Sequence, residues 1–243
     1  MRFMVMHKVD ARMEAGGPPP ADIVAAMGKY VGGAIAAGVF QDGAGLHASS
    51  QRVRLAFTGG QRTVTRGPYA GGNELLASFA MIRASSLEHA IELATRVAAA
   101  LGDGELEIGP VVEPWDLGVA PRPADPPQRF LLLRKGDAAY EAGAAPPAGL
   151  RRVLDELARE GALISAASLL PTRHAARLGR THAWTDGPFA ESKELVAGYS
   201  IVELPSLADA RRWAEAYQRI LGDNEVDVRE VASTNASTAT HSR

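Results

Sequence analysis

The sequence predicts an α+β chain built as two copies of one split β-α-β unit, and three observations carry that reading. The opening run Arg2-Phe3-Met4-Val5-Met6-His7-Lys8 returns as Arg129-Phe130-Leu131-Leu132-Leu133-Arg134-Lys135. Residues 65–111 align with 185–231 without a gap, with 16 of 47 positions identical, against roughly one in fifteen for unrelated chains of ordinary composition. In each half the apolar spacing switches between the two-residue period of strands and the 3.6-residue period of helices, in the order β-α-β(β)-β-α-β. Self-similarity on this scale marks a tandem duplication.

The elements follow in order. Phe3, Val5 and His7 alternate with Met4, Met6 and Lys8, a strand buried on both faces. Beyond the Gly-Pro segment 16–20, Ile23, Met27, Tyr30, Val31, Ala34 and Ile35 recur at helical steps as far as Gly38. Gly28, Gly32 and Gly33 weaken that helix, each by roughly 1 kcal/mol relative to Ala. Val39 and Phe40 start a short strand, and Leu46 is expected in a loop. Val53, Leu55 and Phe57 alternate with polar partners, and Gly59-Gly60 turns them into a hairpin with Arg62-Thr63-Val64. An apolar strand covers 75–82, Ser86 caps a helix reaching Leu101, and Leu106, Ile108 and Val111 give the last strand. In the second half Leu150, Val153, Leu154 and Leu157 mark the first helix. Ser206 with Asp209 caps the second, and Val226, Val228 and Val231 mark the closing strand. The repeats are placed at 1–118 and 128–232, joined by a proline-rich linker at 119–127 and followed by a Ser/Thr/Ala/Asn-rich tail at 233–243 expected to be disordered.

Composition narrows the function classes. At 243 residues, 46% hydrophobic and 22% charged, the chain can bury the core of one large or two small domains. A net charge of −2 offers no basic field for nucleic acid or an anionic membrane. There is no cysteine, hence no disulfide, thiolate nucleophile or thiolate metal site, which fits a reducing compartment. The N-terminal apolar run is too short for a signal peptide or a membrane span, and the expected location is the cytoplasm. No HxH, HExxH or carboxylate cluster has ligand spacing, no glycine-rich run has phosphate-cradle context, and no GxSxG elbow occurs. No metal or cofactor is therefore expected.

Each half also carries a Gly-Pro turn that launches its central strand: Thr185-Asp186-Gly187-Pro188-Phe189-Ala190-Glu191-Ser192-Lys193-Glu194 in the second, Thr65-Arg66-Gly67-Pro68-Tyr69-Ala70-Gly71-Gly72-Asn73-Glu74 in the first. The second copy closely resembles the signature of the YCII-related family, in the branch called DGPF-domain proteins. The first is a diverged copy, with Arg66 for Asp, Tyr69 for Phe and Gly71-Gly72-Asn73 for Glu-Ser-Lys. The resemblance implies a dimeric α+β barrel, here intramolecular, in which two ferredoxin-like repeats pack their sheets face to face. Strands apolar on both faces agree with a sheet covered on both sides.

For YCII-like proteins the resemblance also implies a His–Asp pair, with the His on the first strand and the Asp in the turn. Only His7 matches the first position, Arg134 standing there in the second half; only Asp186 matches the second, Arg66 standing there in the first half. A His7–Asp186 site would have to form between the halves, with the carboxylate fixing the tautomer of a general base. The plainer alternatives are that Asp186 shapes its turn and that His7 is a satisfied, partly buried histidine. Arg66 and Arg134 are candidate anion-stabilising residues, and Glu74 and Glu194 are either turn contacts or pocket carboxylates. His182 and Tyr199 are candidate cleft-lining groups near the motif. Two functions follow. One is cofactor-free acid–base chemistry of lyase, isomerase or dehydratase type on a small, aromatic or polyketide-like molecule. The other is a non-catalytic ligand-binding or accessory module with a decayed site. In both readings the partner is a small molecule, and the chain is a monomeric pseudo-dimer or a homodimer of it.

Overall fold

Runs with apolar residues on both faces become the central strands of this computed structural model, which describes residues 1–126 and 128–233. The expected disorder of the tail falls on residues 234–243, outside the described residues. In the first repeat β1 (Arg2–Lys8), α1 (Ala11–Glu14), α2 (Ala21–Ala36) and β2 (Phe40–Leu46) are followed by the hairpin β3 (Val53–Thr58) and β4 (Gln61–Arg66). Then come β5 (Leu76–Arg83), α3 (Leu87–Leu101) and β6 (Gly104–Val112). The second repeat gives β7 (Arg129–Lys135), α4 (Ala138–Glu141), α5 (Ala148–Arg159), β8 (Leu163–Ser168), β9 (Ala176–Leu178) and β10 (Trp184–Asp186). It closes with β11 (Val196–Glu203), α6 (Leu207–Leu221) and β12 (Val226–Glu230).

The capping expectations hold. Ser86 Oγ accepts from His89 N–H at 3.1 Å and Ser206 Oγ from Asp209 N–H at 3.2 Å, and Gly102 and Gly222 end the two helices at φ 80° and 79°, where a Cβ would be disfavoured. One expectation is too short. The stretch read as a strand start and a loop is the seven-residue strand β2. Its glycines hid the alternation, and Gly43 is needed there because a Cβ would crowd the Tyr199 carbonyl on β11.

Each sheet draws on both repeats. One lobe has the order β10-β9-β12-β1-β11-β2, so the opening β-α-β of the first repeat lies among the strands of the second. In the other lobe β7 and β8 of the second repeat pair with β5 and β6 of the first, and β3 and β4 extend the edge of β6. Apolar layers fill the space between each sheet and its helices. Phe3, Val5 and Val202 pack on Trp213 and Tyr217 of α6, and Ile82, Ile108 and Leu132 pack with residues of α3 and α5. A third layer, including Met4, Met6, Phe79, Met81, Leu131, Leu133 and Tyr199, joins residues of both sheets.

The expected closed α+β barrel does not form. The strands make an open path of two sheet-rich lobes, joined on one side by only two residue pairs of β2 and β6, Gly45 with Val112 and Leu46 with Val111. On the other side a single bridge, Leu169 with Val231, stands where a ladder would close the barrel. The cause is edge occupancy. A strand has two hydrogen-bonding edges, and β3 takes most of the second edge of β6 while β9 takes that of β12. The hairpins inserted before each motif therefore block closure.

Candidate functional site

Strand alternation decides which residues can meet. On β1 the residues Phe3, Val5 and His7 face the helices, and Met4 and Met6 face the other sheet. His7 accordingly lies beneath α6, buried, with Nδ1 2.8 Å from Tyr217 Oη and the two rings edge to face. Burial lowers its pKa to about 4; Asp10 opposes the shift, and Arg52 and Lys8 add to it. At neutral pH His7 is an uncharged core histidine.

Asp186 has a different environment. It stands on β10, separated from β1 by β9 and β12, with its side chain 70% exposed and ion-paired to Arg211 of α6. His7 and Asp186 thus hold separate partners. Arg66, the counterpart of Asp186, makes the same connection with opposite polarity, to Glu88 of α3 at 3.1 Å. Such exposed pairs contribute about 0–1 kcal/mol. The glycine beside each is more demanding. A Cβ on Gly67 or Gly187 would overlap the carbonyl of Ser49 or Thr172, and the backbone N–H of each donates to the Arg52 or Ala175 carbonyl. The motif is foremost a device for close backbone approach.

Of the other candidates, Arg134 pairs with Asp137 at 3.6 Å and Glu194 with Arg180 at 2.8 Å. His182 Nδ1 lies 2.9 Å from Gln218 Oε1, and its Nε2 is 3.3 Å from Asp223. Tyr199 is buried, donating to Asp42 at 2.9 Å, and burial followed by the Asp42 charge raises its pKa. These residues form no common cluster. Glu74 is different, because it belongs to a buried ionic centre.

That centre lies where the two motif copies cross. Glu74 N–H donates to Ser192 O at 2.6 Å, and Ser192 N–H donates to Asn73 Oδ1 at 3.3 Å. The carboxylate of Glu74 accepts from Arg54 Nη2 at 2.6 Å and from Gly72 N–H at 2.8 Å, and it contacts the Lys135 ammonium. Glu107 on β6 is shared by Arg52 at 3.0 Å, Arg54 at 3.4 Å and Lys135 at 3.8 Å. Arg52 also donates to the His47 and Val196 carbonyls, and the Arg54 guanidinium lies 4.0 Å above the Tyr69 ring. Burial, followed by like-charge repulsion from Arg54, Lys8 and Arg52, lowers the Lys135 pKa well below its ordinary value.

An equivalent centre sits in the other lobe. Lys8 lies 3.0 Å from both Asp227 and Ser192 Oγ, and Arg177 binds Asp227 through two nitrogens at 2.6 and 3.1 Å. Glu225 lies 3.3 Å from Arg177, whose guanidinium covers the Phe189 ring at 4.4 Å. Burial alone would raise the Asp227 pKa, but Lys8 and Arg177 hold it at about 2.

Lys8, Lys135, Arg52, Arg54 and the acids Glu107 and Asp227 were missed in the sequence. Two signals were present: Lys8 and Lys135 end both copies of the opening strand, and Glu107 and Asp227 are acidic at aligned positions. Arg54 and Arg177 lie upstream of the gapless segment. Among the described residues no group of three or more His, Asp or Glu side chains is placed to hold a metal ion, and no helix is long and apolar enough to cross a membrane.

Two intertwined ferredoxin-like units, with a twinned ionic centre at the crossing of a repeated Gly-Pro motif, define a tandem α+β protein. The chain belongs to the YCII-related domain family, whose model matches residues 1–115 and again 129–233. No curated protein and no solved structure matches it.

Proposed function

We propose that the protein is a ligand-binding module, with the site at the ionic centre of Lys135, Glu74, Glu107, Arg52 and Arg54 and a small organic molecule as ligand. The observation that carries this reading is the convergence of both motif copies on that centre, while His7 packs beneath a helix and Asp186 stands at the surface. A general base must reach the proton it removes, and His7 on the helix-facing side of β1 is poorly placed for a ligand between the lobes. The non-catalytic alternative is thus favoured over a His7–Asp186 acid–base pair.

The test is a thermal-shift and amide-NMR screen of small aromatic acids and their neutral analogues. Binding that perturbs Gly72, Glu74 and Ser192, persists in His7→Gln and weakens in Lys135→Met supports the reading. Binding lost in His7→Gln and unchanged in Lys135→Met overturns it. A second reading, acid–base chemistry by Lys135, is favoured by the lowered pKa of its ammonium and its contact with Glu74. Turnover of a bound ligand, abolished in Lys135→Met and retained in His7→Gln, would establish that reading.

A further inference from the structure

The ionic centre around Glu107 holds three cations, Arg52, Arg54 and Lys135, against two buried carboxylates, Glu74 and Glu107. A third acid, the half-buried Glu105, lies 3.7 Å from Arg54 Nε, as its counterpart Glu225 lies 3.3 Å from Arg177. Buried charge without a counter-charge is costly. Arginine does not shed its proton, so the buried excess is removed by neutral Lys135 or met from the edge of the centre, by the half-buried Glu105 or by an anion. The donors point to the anion. Arg52 is 1% exposed, and its Nη2 has no hydrogen-bond partner among the described residues. The same holds for Tyr69 Oη and Arg54 Nε. Arg52 and Arg54 both bond Glu107 through their other nitrogens, and Tyr69 is stacked on Arg54, so the three unpartnered donors belong to side chains gathered at one carboxylate. Arg54 and the half-buried Tyr69 are more exposed than Arg52 and form the approach from solvent.

We propose that this centre binds the carboxylate of a monoanionic organic acid, with Arg52 Nη2, Tyr69 Oη and Arg54 Nε as its donors. This rests on the ligand-binding reading above and names the ligand's charged group. Carboxylate geometry suits donors spread over two guanidinium planes and a hydroxyl. Every negative charge brought to these donors lies beside Glu74 and Glu107, so a monoanion is opposed less than a phosphate dianion.

The probes are benzoate, its neutral isostere benzamide and inorganic phosphate, titrated into the full chain by calorimetry with amide NMR mapping. Benzoate is expected to bind more tightly than either competitor, with shifts at Tyr69, Gly72 and Glu74. Tyr69→Phe, which copies the Phe189 of the other centre, should weaken it about tenfold, the size of one hydrogen bond to a charged group. Asp186→Asn should leave it unchanged. Equal affinity for benzoate and benzamide, tighter binding of phosphate, or an unaltered Tyr69→Phe overturns the carboxylate site while leaving the ligand-binding reading standing. If neither aromatic probe shifts these amides, both fall.

Discussion

The two ionic centres descend from one repeated unit and differ in how completely they are closed. Around Asp227, Lys8 and Arg177 face one buried and one half-buried acid, and Ser192 takes a further hydrogen bond from Lys8. Around Glu107, Gly72 stands where Ser192 does, and Glu74 turns inward where Glu194 turns out to Arg180. Arg52 is the added cation, its counterpart being Ala175. The second lobe does bury an arginine, Arg229, but it comes from β12 and bonds Tyr140 Oη and the Leu170 carbonyl, away from Asp227. A Cβ on Gly109, the counterpart of Arg229, would press on Leu46 at 3.2 Å and touch Arg52 at 3.5 Å. The buried arginine thus comes from β12 in one lobe and from the residue just before β3 in the other. With the aligned acids Glu225 and Glu105 counted alike, cations and acids balance in both centres, and it is the spare donor set of the Glu107 centre that sets the two apart.

The largest expected effects come from the shared carboxylates. Glu107→Gln leaves three cations under-compensated and Asp227→Asn two, and each should cost roughly 3–5 kcal/mol in urea unfolding, the usual loss when one member of a buried ion pair is removed. Glu107→Gln should cost more. If Asp227→Asn proves the more destabilising, the number of cations sharing a carboxylate does not set the cost of losing it.

The next effect separates His7 from its counterpart Arg134. Above pH 6.5 His7 is neutral in folded and unfolded chains alike. As pH falls toward 4 the unfolded chain gains a proton that the folded one refuses, so stability falls and then levels off. A shift from 6.5 to about 4 corresponds to about 3 kcal/mol. Urea midpoints measured across that window should show the loss in the wild type and much less of it in His7→Gln. Arg134, at the matching position, has no imidazole. A wild-type and His7→Gln difference that is flat with pH would mean that His7 is accessible to protons in the folded state.

The smallest effects concern the residue that distinguishes the motif copies. Arg66→Ala and Asp186→Ala each remove one exposed ion pair of opposite polarity, and each should change stability by about 1 kcal/mol or less. A loss several times larger for Asp186→Ala would give that carboxylate a role beyond its contact with Arg211.

Much of this molecule was legible in its residues. Both capping serines, the hairpin glycines, the apolar strands and the duplication follow from local periodicity and local hydrogen-bonding chemistry, which act over a few residues. The candidate site was legible only in part. Glu74 was identified because both copies retain a Glu there, yet Glu194 takes an exposed partner and Glu74 a buried one. His7 is a candidate only through the family resemblance, and the neighbouring Lys8, which alternation places on the opposite face of β1, carries no signal there. Which face meets the other lobe depends on packing.

The sequence by itself determined the repeat, the order of its main elements and the Gly-Pro turns of its motif, because these depend on spacing along the chain. Only the tertiary structure decided that the strands interleave, that the inserted hairpins keep the barrel open, and that Arg52, Arg54 and Lys135 gather on Glu107. Those outcomes depend on which strand edges are free and which charges are buried together, and residues distant in sequence settle both.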